Sequence, residues 1–78
     1  MDENREDMTK AKITTLRRED KKRKTVFHMI DTERNFHEIG ESKFNALCEV
    51  WKLVGGTQYL NDGNVGTITF PEPITVEL

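Results

Sequence analysis

The chain is short of what deep active sites and cross-linked scaffolds are built from. It has a single cysteine, Cys48, so no intramolecular disulfide can form and the disulfide-framed architecture of small secreted domains is excluded. No uninterrupted apolar run approaches the roughly 18 residues that a membrane-spanning helix requires. The start, Met1-Asp2-Glu3-Asn4-Arg5-Glu6-Asp7, is acidic and polar where a secretory signal needs a basic start followed by an apolar stretch. Together these absences predict a soluble, intracellular, cytoplasmic protein. Aromatic side chains are few, at 8% of the residues. The only two prolines, Pro71 and Pro73, fall close together near the C-terminus.

What is present is charge. Charged residues make up 33% of the 78 and hydrophobic ones 35%. A chain of this length forms one domain that buries only about 60–65% of the surface its unfolded form exposes, which leaves room for a modest core and none for a deep substrate cavity. The net charge of −2 conceals a dipole. Residues 10–24 hold eight basic and two acidic side chains, for +6, while the rest of the chain carries −8. The sharpest concentration is Arg17-Arg18-Glu19-Asp20-Lys21-Lys22-Arg23-Lys24, with six cations in eight positions.

Residues 1–9 offer one apolar side chain, Met8, among acids and polar groups, too little to offset the entropy of ordering. They are expected to be a disordered acidic lead to a single domain over 10–78. Lys12-Ile13-Thr14-Thr15-Leu16 has three β-branched residues in succession and suits a strand, although Ile13 and Leu16 have opposite parity. Thr25-Val26-Phe27-His28-Met29-Ile30 is apolar on both parities, as a central strand covered on both faces would be. An antiparallel hairpin joining these two makes the basic run its connection.

After turn formers at Asp31-Thr32-Glu33-Arg34, Phe36 and Ile39 fit either a helix start or a short strand, and Gly40 interrupts both. Residues 42–54 read as a helix whose apolar face is Phe44, Leu47, Cys48, Trp51 and Val54, with Ser42 as N-cap and Gly55-Gly56 as the stop. Two strands flank Asn61-Asp62-Gly63-Asn64, a cluster rich in residues that tolerate positive φ, and form a hairpin. Beyond the prolines, Ile74-Thr75-Val76-Glu77-Leu78 alternates strictly and reads as a last strand at a sheet edge. The class this predicts is α+β: a small, mainly antiparallel sheet of about five strands, in the order β-β-α-β-β-β, with one amphipathic helix packed on one face.

Candidate chemistry is sparse. Cys48 sits on the apolar helix face, which predicts a packed, inert thiol rather than a nucleophile. His28 shares parity with Val26 and Ile30 and is expected in or beside the core, with one partner to satisfy it. His37 falls on a loop or helix start. His28, His37 and Cys48 could supply three zinc ligands, but no familiar short ligand spacing is present. The acid pairs Glu38 with Glu41 and Glu19 with Asp20 lie in wet, charged surroundings without an enclosing cleft to separate their pKa values. Asn61–Asn64 lacks the alternating ligands of a calcium loop, and no lysine follows Gly55-Gly56-Thr57 as a phosphate loop demands. No catalytic group, metal or cofactor is therefore expected.

Two surfaces remain. Arg17, Arg18, Lys21, Lys22, Arg23 and Lys24 could meet an acidic protein surface or, alternatively, lie on the phosphate backbone of a nucleic acid as a regulator. Phe27 is the only ring nearby, which weakens a reading based on stacking of single-stranded bases. Ile74, Val76 and Leu78 could close the protein's own core or offer an edge to a partner strand, and homodimerisation through that edge satisfies both. The expectation is a non-catalytic binding or regulatory module acting by protein–protein contact. Its size and charge suit an accessory or inhibitor protein of a phage or mobile element.

Overall fold

The structure, a computed structural model, describes residues 10–56 and 58–78. The expected disordered lead, 1–9, and Thr57 lie outside the described residues. Five strands, β1 (Lys10–Asp20), β2 (Thr25–Asp31), β3 (Phe36–Ile39), β4 (Gln58–Asp62) and β5 (Val65–Glu77), form one antiparallel sheet in the spatial order β3-β2-β1-β5-β4. The one helix among the described residues, α1 (Glu41–Leu53), lies on one face. The α+β class with five strands and one helix is as expected.

The elements fall along the chain differently in two places. Phe36–Ile39 is a strand before the helix, pairing Phe27 with Ile39 and Ile30 with Phe36. The two strands expected on either side of the prolines are one bent strand, β5. Its register against β1 jumps from Thr15↔Thr69 to Ile13↔Ile74, so Phe70-Pro71-Glu72-Pro73 bows out of the ladder where neither proline has to donate to it.

A bulge resolves the parity conflict in β1. Between Ile13 and Thr15 the pairing to β2 advances two residues against one, and the extra residue, Thr14, turns both Ile13 and Leu16 toward the helix. Its hydroxyl donates to the carbonyl of Ile30 at 3.3 Å. Ile13 and Leu16, together with Met29, are essentially inaccessible to water. Each contributes about 1.5–3 kcal/mol relative to an exposed side chain. Leu47, Ile68, Phe70 and Val76 complete the core, with Phe44, Cys48, Val50 and Trp51 of α1 half-buried against it.

The helix begins one residue earlier than its N-cap candidate. Gly40 occupies the cap position with extended backbone, Glu41 places an acid in the first turn, and no side chain caps, so Ser42 lies inside the helix. Its end is as expected. Gly55 takes φ +79°, its N–H bonds to the carbonyl of Lys52, and the Gly56 N–H bonds to that of Trp51. These two bonds close the last turn around a left-handed residue. A Cβ at Gly56 would collide with the Trp51 indole, whose Nε1 donates to the Thr69 carbonyl at 2.9 Å and fastens the helix end to β5.

Candidate interaction surface at the basic hairpin

The six cations do not form one strip. Arg17 and Arg18 belong to β1, and strand alternation sends them to opposite faces of the sheet. On the face without the helix, Arg17 donates to Glu19 at 3.1 Å and lies 5.7 Å from the centre of the Phe36 ring. On the helix side, Arg18 donates to Asp20 at 3.4 Å. The two acids inside the run therefore neutralise the two arginines of the strand.

The connection itself is shorter than the basic run. Lys21 and Lys24 exchange backbone hydrogen bonds of 2.8 and 3.3 Å, leaving only Lys22 and Arg23 to make the turn. All four side chains are exposed, and none takes part in a salt bridge among the described residues. Like charges directly opposite one another on paired strands repel, and Lys21 and Lys24 stand in that relation. The turn is anchored from below: Thr25 Oγ1 donates to Asp20 Oδ1 at 2.9 Å, and the Asp20 N–H bonds to the carbonyl of Asn64 in the β4–β5 turn. Two hairpin ends thus lie side by side, one basic and one built from Gly63 and Asn64.

The remaining candidates fall into place around this. Phe27 packs its ring on Phe44 at 4.6 Å between centroids, beneath the helix and away from the basic turn. His28 has the parity expected of it, but that parity faces away from the helix. It meets the Phe36 ring edge-on at 5.6 Å, and its Nδ1 is buried without a hydrogen-bond partner among the described residues. His37 lies in β3, and its Nε2 meets Asp31 Oδ2 at 2.9 Å. Among the described residues no three His, Cys, Asp or Glu side chains gather as a metal site would require. Burial pushes the Cys48 thiol above its ordinary pKa, which Lys52 nearby does not offset. That leaves little thiolate at neutral pH.

Ile74 and Val76 pair with Ile13 and Ala11 and pack into the core, whereas Leu78 is 53% exposed. β4 pairs only with residues 65–69 of β5, so residues 74–77 have β1 on one side and no strand on the other among the described residues. Among the described residues no helix is long and apolar enough to cross a membrane. The chain matches no protein-family model, and neither a curated protein nor a solved structure is significantly similar to it.

Sequence reasoning placed a turn at Asp31-Thr32-Glu33-Arg34 but missed what the Asp31 carboxylate does in it. Asp31 Oδ1 accepts the backbone N–H groups of Glu33 and Asn35, both at 2.8 Å, while Oδ2 meets His37. Chiefly through His37, and then through the Asn35 amide, this holds the carboxyl down to about 2. An aspartate followed by three polar residues already marks a turn whose side chain can bond its own backbone two residues on. The His37 partner depends on the β2–β3 register and could not be read beforehand.

Proposed function

We propose that the protein is a non-catalytic binding module that docks its basic turn, Lys21–Lys24, on an acidic surface of a partner protein. The observation that carries this reading is the crowding of four exposed cations, free of ion pairs among the described residues, on a two-residue turn. An anionic surface relieves their mutual repulsion and steers encounter. The raised thiol pKa of Cys48 and the wet setting of the acid pairs support a role without chemistry of its own.

A nucleic-acid partner would draw on the same four cations but has less support. Arg17 and Arg18 are neutralised and point to opposite faces, so no six-charge track for phosphates exists, and Phe27 is engaged with Phe44 rather than free to stack on a base. The test is affinity capture from native lysate, with and without nuclease, using the natural chain and a variant with Lys21, Lys22, Arg23 and Lys24 all changed to Gln. A protein partner should survive nuclease and be lost by the variant. Retention that disappears with nuclease, and binding to duplex DNA whose logarithm falls with log salt at about 0.9 per phosphate contacted, would replace this reading with the nucleic-acid one.

A further inference from the structure

We infer that the outer edge of β4 is a self-association surface, on which a second copy of this chain adds its own β4 in antiparallel register centred on Leu60. This does not depend on the role of the basic turn.

Among the described residues the sheet ends on β3 and on β4, and these two outer edges differ. β3 is four residues long, carries Glu38, and runs straight through Gly40 into the helix, which are the features that keep an edge from pairing. β4 has no lysine, no proline and no bulge in its pairing to β5. Tyr59 is 60% and Leu60 71% exposed, on opposite faces of the strand. Leu53, Val54, Tyr59 and Leu60, four of the exposed large hydrophobic residues, come from the single stretch of chain that leaves the helix and becomes this edge.

The hydrogen-bonding phase follows from the turn. β4 and β5 are joined by two residues, Gly63 and Asn64, with Gly63 at φ +63°, and such a turn closes on a hydrogen-bonded pair, here Asp62 with Val65. Alternation then aims the N–H and C=O of Leu60 at β5 and those of Tyr59 and Asn61 outward. In an antiparallel pair centred on Leu60, Tyr59 of each copy meets Asn61 of the other. All four outward donors and acceptors on each side of the centre are thereby paired, and the two Leu60 side chains touch across the axis on the face without the helix. Asp62 falls opposite residue 58, so the two carboxylates stand apart and no like charges oppose one another. The edge is complementary to itself.

The test is sedimentation equilibrium on the full chain from micromolar to near-millimolar concentration. A reversible monomer–dimer equilibrium is expected. Asn61→Pro keeps every bond to β5, because the Asn61 N–H points outward, but removes two intermolecular donors per dimer. It should weaken dimerisation by about a hundredfold with the circular dichroism spectrum unchanged. Leu60→Lys sets two cations against each other and should do the same. In a Cys48→Ser background, Leu60→Cys should cross-link between chains on mild oxidation, whereas Thr67→Cys, one strand further in on the same face, should not. A chain that is monomeric across the whole range, or a dimer indifferent to Asn61→Pro and Leu60→Lys, would overturn the inference.

Discussion

The two turns at the ends of β2 use charge in opposite ways. At Asp31–Asn35, one carboxylate takes two backbone amides and an imidazole, so its charge is spent within the fold. At Lys21–Lys24, four cations share a turn as tight and meet no carboxylate in an ion pair among the described residues. Neighbouring turns of one strand therefore separate charge that shapes the chain from charge that no ion pair among the described residues takes up. Substitutions in the first should act on stability, and substitutions in the second on binding.

Asp31→Ala should give the largest loss of stability of any single change in either turn, because three hydrogen bonds end on that carboxylate. The denaturant midpoint should fall with little change in m, since the surface exposed on unfolding is nearly the same. If Thr25→Val, which removes the hydrogen bond to Asp20 at the basic turn, lowered the midpoint as far, the contrast between the turns would be lost.

Acid should act at the same place. The Asp31 carboxyl has its folded pKa depressed from 3.8 to about 2. The unfolded chain therefore binds the proton more readily, and Asp31 contributes its full stabilisation above the unfolded value. That contribution declines as pH falls from about 4 toward 2. A stability profile measured over this window should flatten in Asp31→Asn, and an unchanged slope would assign the acid sensitivity to other groups.

The difference between the turns also explains which of them was legible beforehand. The basic cluster is contiguous in sequence, so counting charges found it, and strand patterning on both sides located the hairpin. Counting could not show that Arg17 and Arg18 are neutralised by Glu19 and Asp20. That depends on where strand gives way to turn, and β1 runs four residues past Leu16 before it does. The same holds for the sheet: the helix, its glycine stop and the last hairpin follow from local spacing and turn chemistry. The bulge at Thr14, the bowed prolines within β5 and the strand Phe36–Ile39 are settled by pairing between distant segments, which periodicity does not encode. The edge of β4 had no signal at all, because exposure on both faces of a strand is a property of what fails to cover it.

Arg34→Gly is a smaller and opposite perturbation of the Asp31 turn. Arg34 sits at φ 71°, a left-handed conformation that its Cβ resists, while its N–H bonds to the carbonyl of Asp31. Glycine keeps the hydrogen bond and removes a strain of about 1–2 kcal/mol. Against that it loses about 0.5–1 kcal/mol to the greater freedom of the unfolded chain. Thermal unfolding should thus show a net gain of about 0.5 kcal/mol, whereas Arg34→Val should show a loss. Equal behaviour of the two variants would mean that the backbone there is not held by the turn.

The smallest effect on stability belongs to the basic turn, where it is most informative. Changing Lys21, Lys22, Arg23 and Lys24 to Gln removes no ion pair among the described residues, and the backbone bonds between Lys21 and Lys24 remain available. Relief of the repulsion across the turn should leave stability unchanged or raise it by a few tenths of a kcal/mol at low salt, with the gain fading as salt screens it. The same variant is the one expected to lose the partner. A protein that folds as well as before and no longer binds would show that these four charges serve contact, and a marked loss of stability would return them to the fold.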